Sequence, residues 1–116
     1  MHDPTEGGIA TGLGEMATAS QVGLQVEAEA IALVPLGRRF CDALGIDPLG
    51  LIASGCLLVA TDEEEAEKLL AAAAQANIPA AIIATARPAS EGLSITRADT
   101  TQPLPRYDQD ELTRVL

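Results

Sequence analysis

The chain has 116 residues, 47% of them hydrophobic and 2% aromatic, and a formal net charge of −10. That length is one ordinary domain, which leaves no room for a second. So few and scattered cations exclude a nucleic-acid partner and an anionic membrane surface.

Phe40 and Tyr107 are the sole aromatic residues, so the core is expected to be aliphatic. The longest apolar run, Leu49 to Ala60, is interrupted by Ser54 and Gly55 and is too short to span a bilayer. With no signal peptide in view, a cytoplasmic location is expected. Cys41 and Cys56 each sit in an apolar segment and read as buried free thiols of a reducing compartment.

Ile9, Leu13, Met16, Ala17 and Ser20 share one face of a helix running from about Glu6 to Ser20. Gly23 ends that pattern, and Leu24, Val26 and Ala28 then alternate with polar residues as in a half-buried strand. Pro35 opens a second helix, with Leu36, Phe40 and Leu44 on its inner face and Gly45 as its stop. Asp47, Pro48 and Gly50 mark a turn, and Leu57 to Ala60, introduced by Ser54-Gly55, reads as a central strand. Asp62 to Ala76 is a helix with an acidic first turn and an inward stripe of Ala66, Leu69, Leu70, Ala73 and Ala74. Asn77 and Pro79 end it.

Ala80 to Thr85 is a further short strand, Glu91-Gly92 a turn, and Leu93 to Arg97 another strand. Thr100 to Arg106 contains two prolines, which confines it to a sheet edge or a tail. Asp108 and Glu111 suggest the N-cap of a last short helix ending at Leu116. The alternation predicts an α/β (α+β) domain, a layered mixed sheet with helices packed on it.

Chemistry concentrates at the start, in His2-Asp3-Pro4-Thr5-Glu6-Gly7-Gly8-Ile9-Ala10. Asp3 as N-cap, Pro4 at the first helical position and Glu6 at the third form a capping box, which needs no function. Gly7-Gly8 is not covered by that reading, since each glycine in a first turn costs up to about 1 kcal/mol against alanine. Bare backbone there would let a phosphate approach free N–H groups at a helix start.

Elsewhere the plainer readings hold. His2, the lone histidine, reads as a local hydrogen-bonding group, and Glu63, Glu64 and Glu65 as a solvated first turn. Ser54-Gly55-Cys56 lacks an activating base, and the adjacent Arg38 and Arg39 read as facing solvent or an interface.

The string from Met1 to Thr11 resembles the signature that opens the C-terminal domain of the aminoimidazole ribonucleotide (AIR) synthetase superfamily. Its Asp-Pro-Thr-x-Gly-Gly form is most similar to the hydrogenase maturation factor branch. The likeness continues through Gly23-Leu24, Asp47-Pro48-Leu49, Ser54-Gly55 and Leu104-Pro105-Arg106, so it covers residues 1–116.

It implies a partly ferredoxin-like α/β domain that packs on an N-terminal domain missing from this chain, with ATP in the cleft between them. Magnesium would be held largely by acidic residues of the missing half, so no metal ligand is assigned here. The resemblance assigns Asp3, Thr5, Gly7 and Gly8 to the nucleotide or substrate cleft. Asp3 and Thr5 would orient polar groups, and Gly7 and Gly8 would allow close backbone approach.

The N-terminal domain is the implied partner, a homo-oligomer is expected, and the chain alone is expected to be inactive, with weak or no nucleotide binding. An apolar face should stand exposed where that domain would cover it.

Two departures stand out. Glu6 occupies a position where the branch usually carries arginine, and the C-terminus lacks the cysteine that carries the carbamoyl group in that branch. These departures favour an alternative, a non-catalytic binding or assembly module that keeps the fold.

Overall fold

The computed structural model describes all 116 residues. Four strands form one mixed sheet: β1 (Gly23–Glu27), β2 (Ala84–Arg87), β3 (Leu93–Arg97) and β4 (Thr100–Pro103). Their spatial order is β2-β1-β3-β4, with β1 and β3 parallel and both edge pairs antiparallel. In register, Val26 lies beside Ile95, and both side chains are completely buried. Helix α1 (Gly8–Ser20) covers this face with Ala10 and Leu13, and Leu49 and Leu58 complete the core. The expected α/β layering and the aliphatic core are both present.

Local chemistry explains the element ends. Helix α2 (Pro35–Leu44) has proline at its first position and Gly45 in a left-handed conformation after its last. Helix α3 (Glu63–Gln75) is capped by Asp62, whose carboxylate accepts the Glu65 N–H at 2.8 Å. The β3–β4 hairpin turns on Ala98-Asp99, both with positive φ, the geometry that matches strand twist in two-residue loops. Of the two prolines in the extended segment, Pro103 closes the edge strand β4 and Pro105 follows it.

Several expectations are corrected. Leu57 to Ala60 is not a central strand: only Leu58 pairs, with His2, through two backbone bonds of 2.8 Å. The two central places in the sheet go to β1 and β3 instead. The strand expected at Ala80–Thr85 begins at Ala84, and the last helix is a 3-10 turn, Glu111–Arg114, capped by Asp110.

The α2 stripe of Leu36, Phe40 and Leu44 faces outward, and Cys41 is the buried residue. One residue step, about 100° around a helix, separates Phe40 from Cys41 and turns the stripe off the core. No residue of α3 is buried: of its apolar stripe, Ala66, Leu70 and Ala73 are half-buried and Leu69 and Ala74 are exposed. Cys56 is exposed, whereas Cys41 is a buried free thiol as expected.

Candidate functional site

The first seven residues are not helical, so Asp3 caps nothing and Pro4 is not a first helical residue. Pro4 is fully buried instead, packed where a Cβ on Gly12 would come within 2.8 Å of it. The Thr5 carbonyl accepts the Gly8 N–H at 3.1 Å and the Ala53 N–H at 3.2 Å, tying the turn to the 53–56 loop. Asp3, Thr5 and Glu6 point their side chains outward from this anchored backbone, all three exposed.

Gly7 and Gly8 take φ of 77° and 68°, in the left-handed region where a Cβ is disfavoured. A Cβ on Gly8 would collide with the Leu49 carbonyl oxygen, and one on Gly7 would stand 2.6 Å from Thr11 Oγ1. Close backbone approach is therefore what the glycines permit, and what approaches is this chain's own backbone. Nor are their amides free. Gly7 N–H donates to Asp110 Oδ2 at 3.0 Å, and Gly8 N–H is held by Thr5. The expectation of uncovered amides at the glycine pair is corrected, because both already have acceptors within the chain.

Asp110 belongs to a polar network that patterning did not bring out. Tyr107 O–H donates to Asp47 Oδ2 at 2.7 Å, Arg97 Nη2 donates to the same oxygen at 2.9 Å, and Leu49 N–H donates to Asp47 Oδ1. Glu111, the one buried carboxylate, accepts from the Asp47 N–H and from Arg114. Thr11 Oγ1 joins in through the Tyr107 backbone. The Tyr107 ring lies over Gly50, where any Cβ would strike it at 2.6 Å.

Burial pushes the Asp47 carboxyl up, but the Tyr107 hydroxyl, the Leu49 amide and Arg97 outweigh it and hold it below the ordinary carboxylate range. Burial and the adjacent Asp47 push the Tyr107 phenol well above its ordinary value, so it stays a donor. The signal for this network was present in the sequence as the Asp108–Glu111 capping pattern, but a local cap and a long-range bond look alike there.

Other candidates fall where the plainer readings put them. His2 Nε2 lies 2.8 Å from Glu15 Oε2. Glu64 and Glu65 are exposed and pair with Lys68, while Arg38 and Arg39 are exposed and unpaired. Gly55 forms a tight turn with φ of 91°. No three His, Cys, Asp or Glu side chains gather as a metal site, and no helix is long and apolar enough to cross a membrane.

Comparison with known proteins fits this architecture. The carbamoyl dehydratase HypE of Rhizobium leguminosarum bv. viciae is 43% identical over 72 residues, 62% of this chain and 21% of that protein. The structure of the hydrogenase maturation protein HypE in complex with ATP superposes with a TM-score of 0.77 at 31% identity, covering 93% of this chain and 35% of that one. Escherichia coli HypE gives 0.83 at 26% identity over 98% of this chain and 37% of its own. The chain thus spans about a fifth of the length of the curated relative. Residues 1–95 match the model of the AIR synthase related protein, C-terminal domain, and the chain belongs to that family.

Proposed function

We propose that the chain forms one wall of an ATP cleft in a longer enzyme of the hydrogenase maturation type, with Asp3 and Thr5 facing nucleotide or substrate. The observation that carries this reading is the display of two polar side chains, both exposed, from a turn whose Pro4, Gly7 and Gly8 are buried. Such an arrangement fixes a contact surface before a ligand arrives, and its flanking residues are shaped for backbone packing. Gly7 and Gly8 set the turn, and the polar contacts fall to Asp3 and Thr5. A similar structure that binds ATP supports the nucleotide as ligand.

The residues fit ATP in a limited way. Asp3 and the neighbouring Glu6 are carboxylates, which repel a bare triphosphate and accept it through a divalent cation. Magnesium, when bound with the nucleotide, would be held largely by acidic residues of the N-terminal half. When bound, ATP supplies the phosphoryl group and magnesium neutralises its charge. Thr5 Oγ offers a donor to an oxygen at the cleft rim.

The partner is the N-terminal domain of the same family. The chain exposes 7815 Å², against roughly 6,000 Å² for a typical folded monomer of its mass. That excess, about 1,800 Å², is larger than a typical interdomain interface of about 600–1,500 Å² and so leaves room for one. A homo-oligomer formed through that partner completes the reading.

The test joins the chain to an N-terminal half and measures ATP affinity by calorimetry together with nucleotide hydrolysis. Asp3→Ala and Thr5→Ala are each expected to weaken ATP binding about tenfold, the worth of one charge-assisted hydrogen bond. Unchanged affinity and turnover in both variants overturn the site.

One observation favours a second reading, a non-catalytic binding or assembly module. Glu6 stands exposed beside Asp3, and the Gly7 amide is already occupied. ATP binding without turnover in the joined protein would select that module.

A further inference from the structure

The apolar ridge of α2 reads the same from both of its ends. Leu36, Phe40 and Leu44 recur every four residues, so Phe40 lies midway between two leucines on one ridge of the helix. All three are exposed, at 59%, 60% and 51%. Of the two aromatic residues, Tyr107 is engaged inside the chain, whereas Phe40 stands in water. Aromatic side chains of that kind are enriched at the centres of interfaces.

The flanks of the ridge differ. With about 100° between successive residues, Arg39 and Asp42 fall on one side of it and the buried Cys41 on the other. Arg39 and Asp42 stand three residues apart, and Arg38 and Asp42 four, the spacings at which helical ion pairs close. Elsewhere the chain uses these spacings: Lys68 pairs with Glu64 and Glu65, and Arg114 with Glu111. On α2 neither pair forms, and all three charges remain exposed and open to another partner.

Surface area points the same way. The chain exposes about 1,800 Å² more than a typical monomer of its mass. One interdomain contact takes about 600–1,500 Å², and a standard dimer takes about 800 Å² from each copy. The excess is of the size that two contacts require rather than one.

We propose that α2 seats a second copy of this chain, in an antiparallel twofold contact centred on Phe40. The axis sets Leu36 of each copy against Leu44 of the other, and Phe40 against Phe40. A twofold normal to an antiparallel helix pair keeps like flanks on one side, so Arg39 of each copy meets Asp42 of the other and the ion pair forms twice. The apolar ridge supplies the attraction, and the two ion pairs fix the register. This contact is independent of the cleft reading, since neither Asp3 nor Thr5 takes part in it.

Sedimentation equilibrium of the 116-residue chain tests the contact, with circular dichroism to follow the fold of each variant. The parent chain is expected to dimerise. Arg39→Asp and Asp42→Arg each replace two attractive contacts by two repulsive ones, and each is expected to weaken dimerisation about tenfold or more. Mixed together, the two variants oppose unlike charges at both places, so the mixture is expected to regain the parent's affinity. The double variant Arg39→Asp/Asp42→Arg is expected to regain it as well. A monomeric parent overturns the contact. Single variants that dimerise like the parent, or a mixture that stays as weak as its components, overturn the reciprocal pairing and the twofold geometry with it.

In the protein joined to an N-terminal half, Phe40→Glu is expected to at least halve the assembled mass. An unchanged mass overturns α2 as a face open to a second copy, because the N-terminal half would then be its cover.

Discussion

At Gly8 the backbone φ is positive and the space a side chain would need is filled by the Leu49 carbonyl. Gly8→Ala is therefore expected to destabilise the chain by more than about 1 kcal/mol, read as a lowered urea midpoint. This disqualifies bulky substitutions at Gly8 as probes of ligand binding, since any loss of affinity would report the fold. Asp47 carries a different consequence. Its folded carboxyl lies below the ordinary range, so its contribution to stability is full above that range and is lost as pH falls through the lowered value. Stability is expected to drop progressively below about pH 5, and Asp47→Asn is expected to flatten that limb in urea unfolding measured across pH.

The hairpin between β3 and β4 holds a stored cost at the scale of one element. Ala98 has φ of 45° and is followed by Asp99 at 63°, so two residues with side chains occupy left-handed positions. The left-handed conformation costs about 1–2 kcal/mol for such a residue, and asparagine tolerates it best. Ala98→Asn is expected to raise stability by about 0.5–1 kcal/mol, seen as a higher thermal midpoint.

Elements set by short-range chemistry were legible in the sequence: α2 between Pro35 and Gly45, α3 from its Asp62 cap, and β3 from its alternation. What could not be read was which apolar stripe meets the core. Phe40 and Leu44 have the spacing of an inner face, yet only tertiary packing decides that Cys41 points inward. Leu57 to Ala60 has strand composition, but central places in a sheet are won by pairing, which composition does not encode. At the signature, Asp3 and Thr5 are displayed on the surface, where the proposed cleft needs them. The occupation of Gly7 by Asp110, 103 positions away, leaves no trace in a local pattern.

For the whole molecule, the outward stripe on α2 and the unburied α3 leave more apolar surface in water than a self-sufficient domain carries. Leu36, Phe40 and Leu44 are each more than half exposed. The isolated chain is expected to bind a hydrophobic dye and to self-associate with concentration in sedimentation. Phe40→Glu is expected to reduce both while leaving the unfolding midpoint within about 0.5 kcal/mol, as for surface changes generally. A strictly monomeric, dye-free chain would argue that this face needs no cover.

The sheet order bears on how the chain reaches this state. Strand β1 is formed by residues 23–27, yet its neighbours are residues 84–87 and 93–97. As the polypeptide leaves the ribosome, the future centre of the sheet waits unpaired until nearly the last quarter has emerged. Large loops must close before the core rewards them, which places folding on the slow, topology-limited side of small domains. During that wait Val26 has no covering strand, and this interval is when the nascent chain has most need of a chaperone.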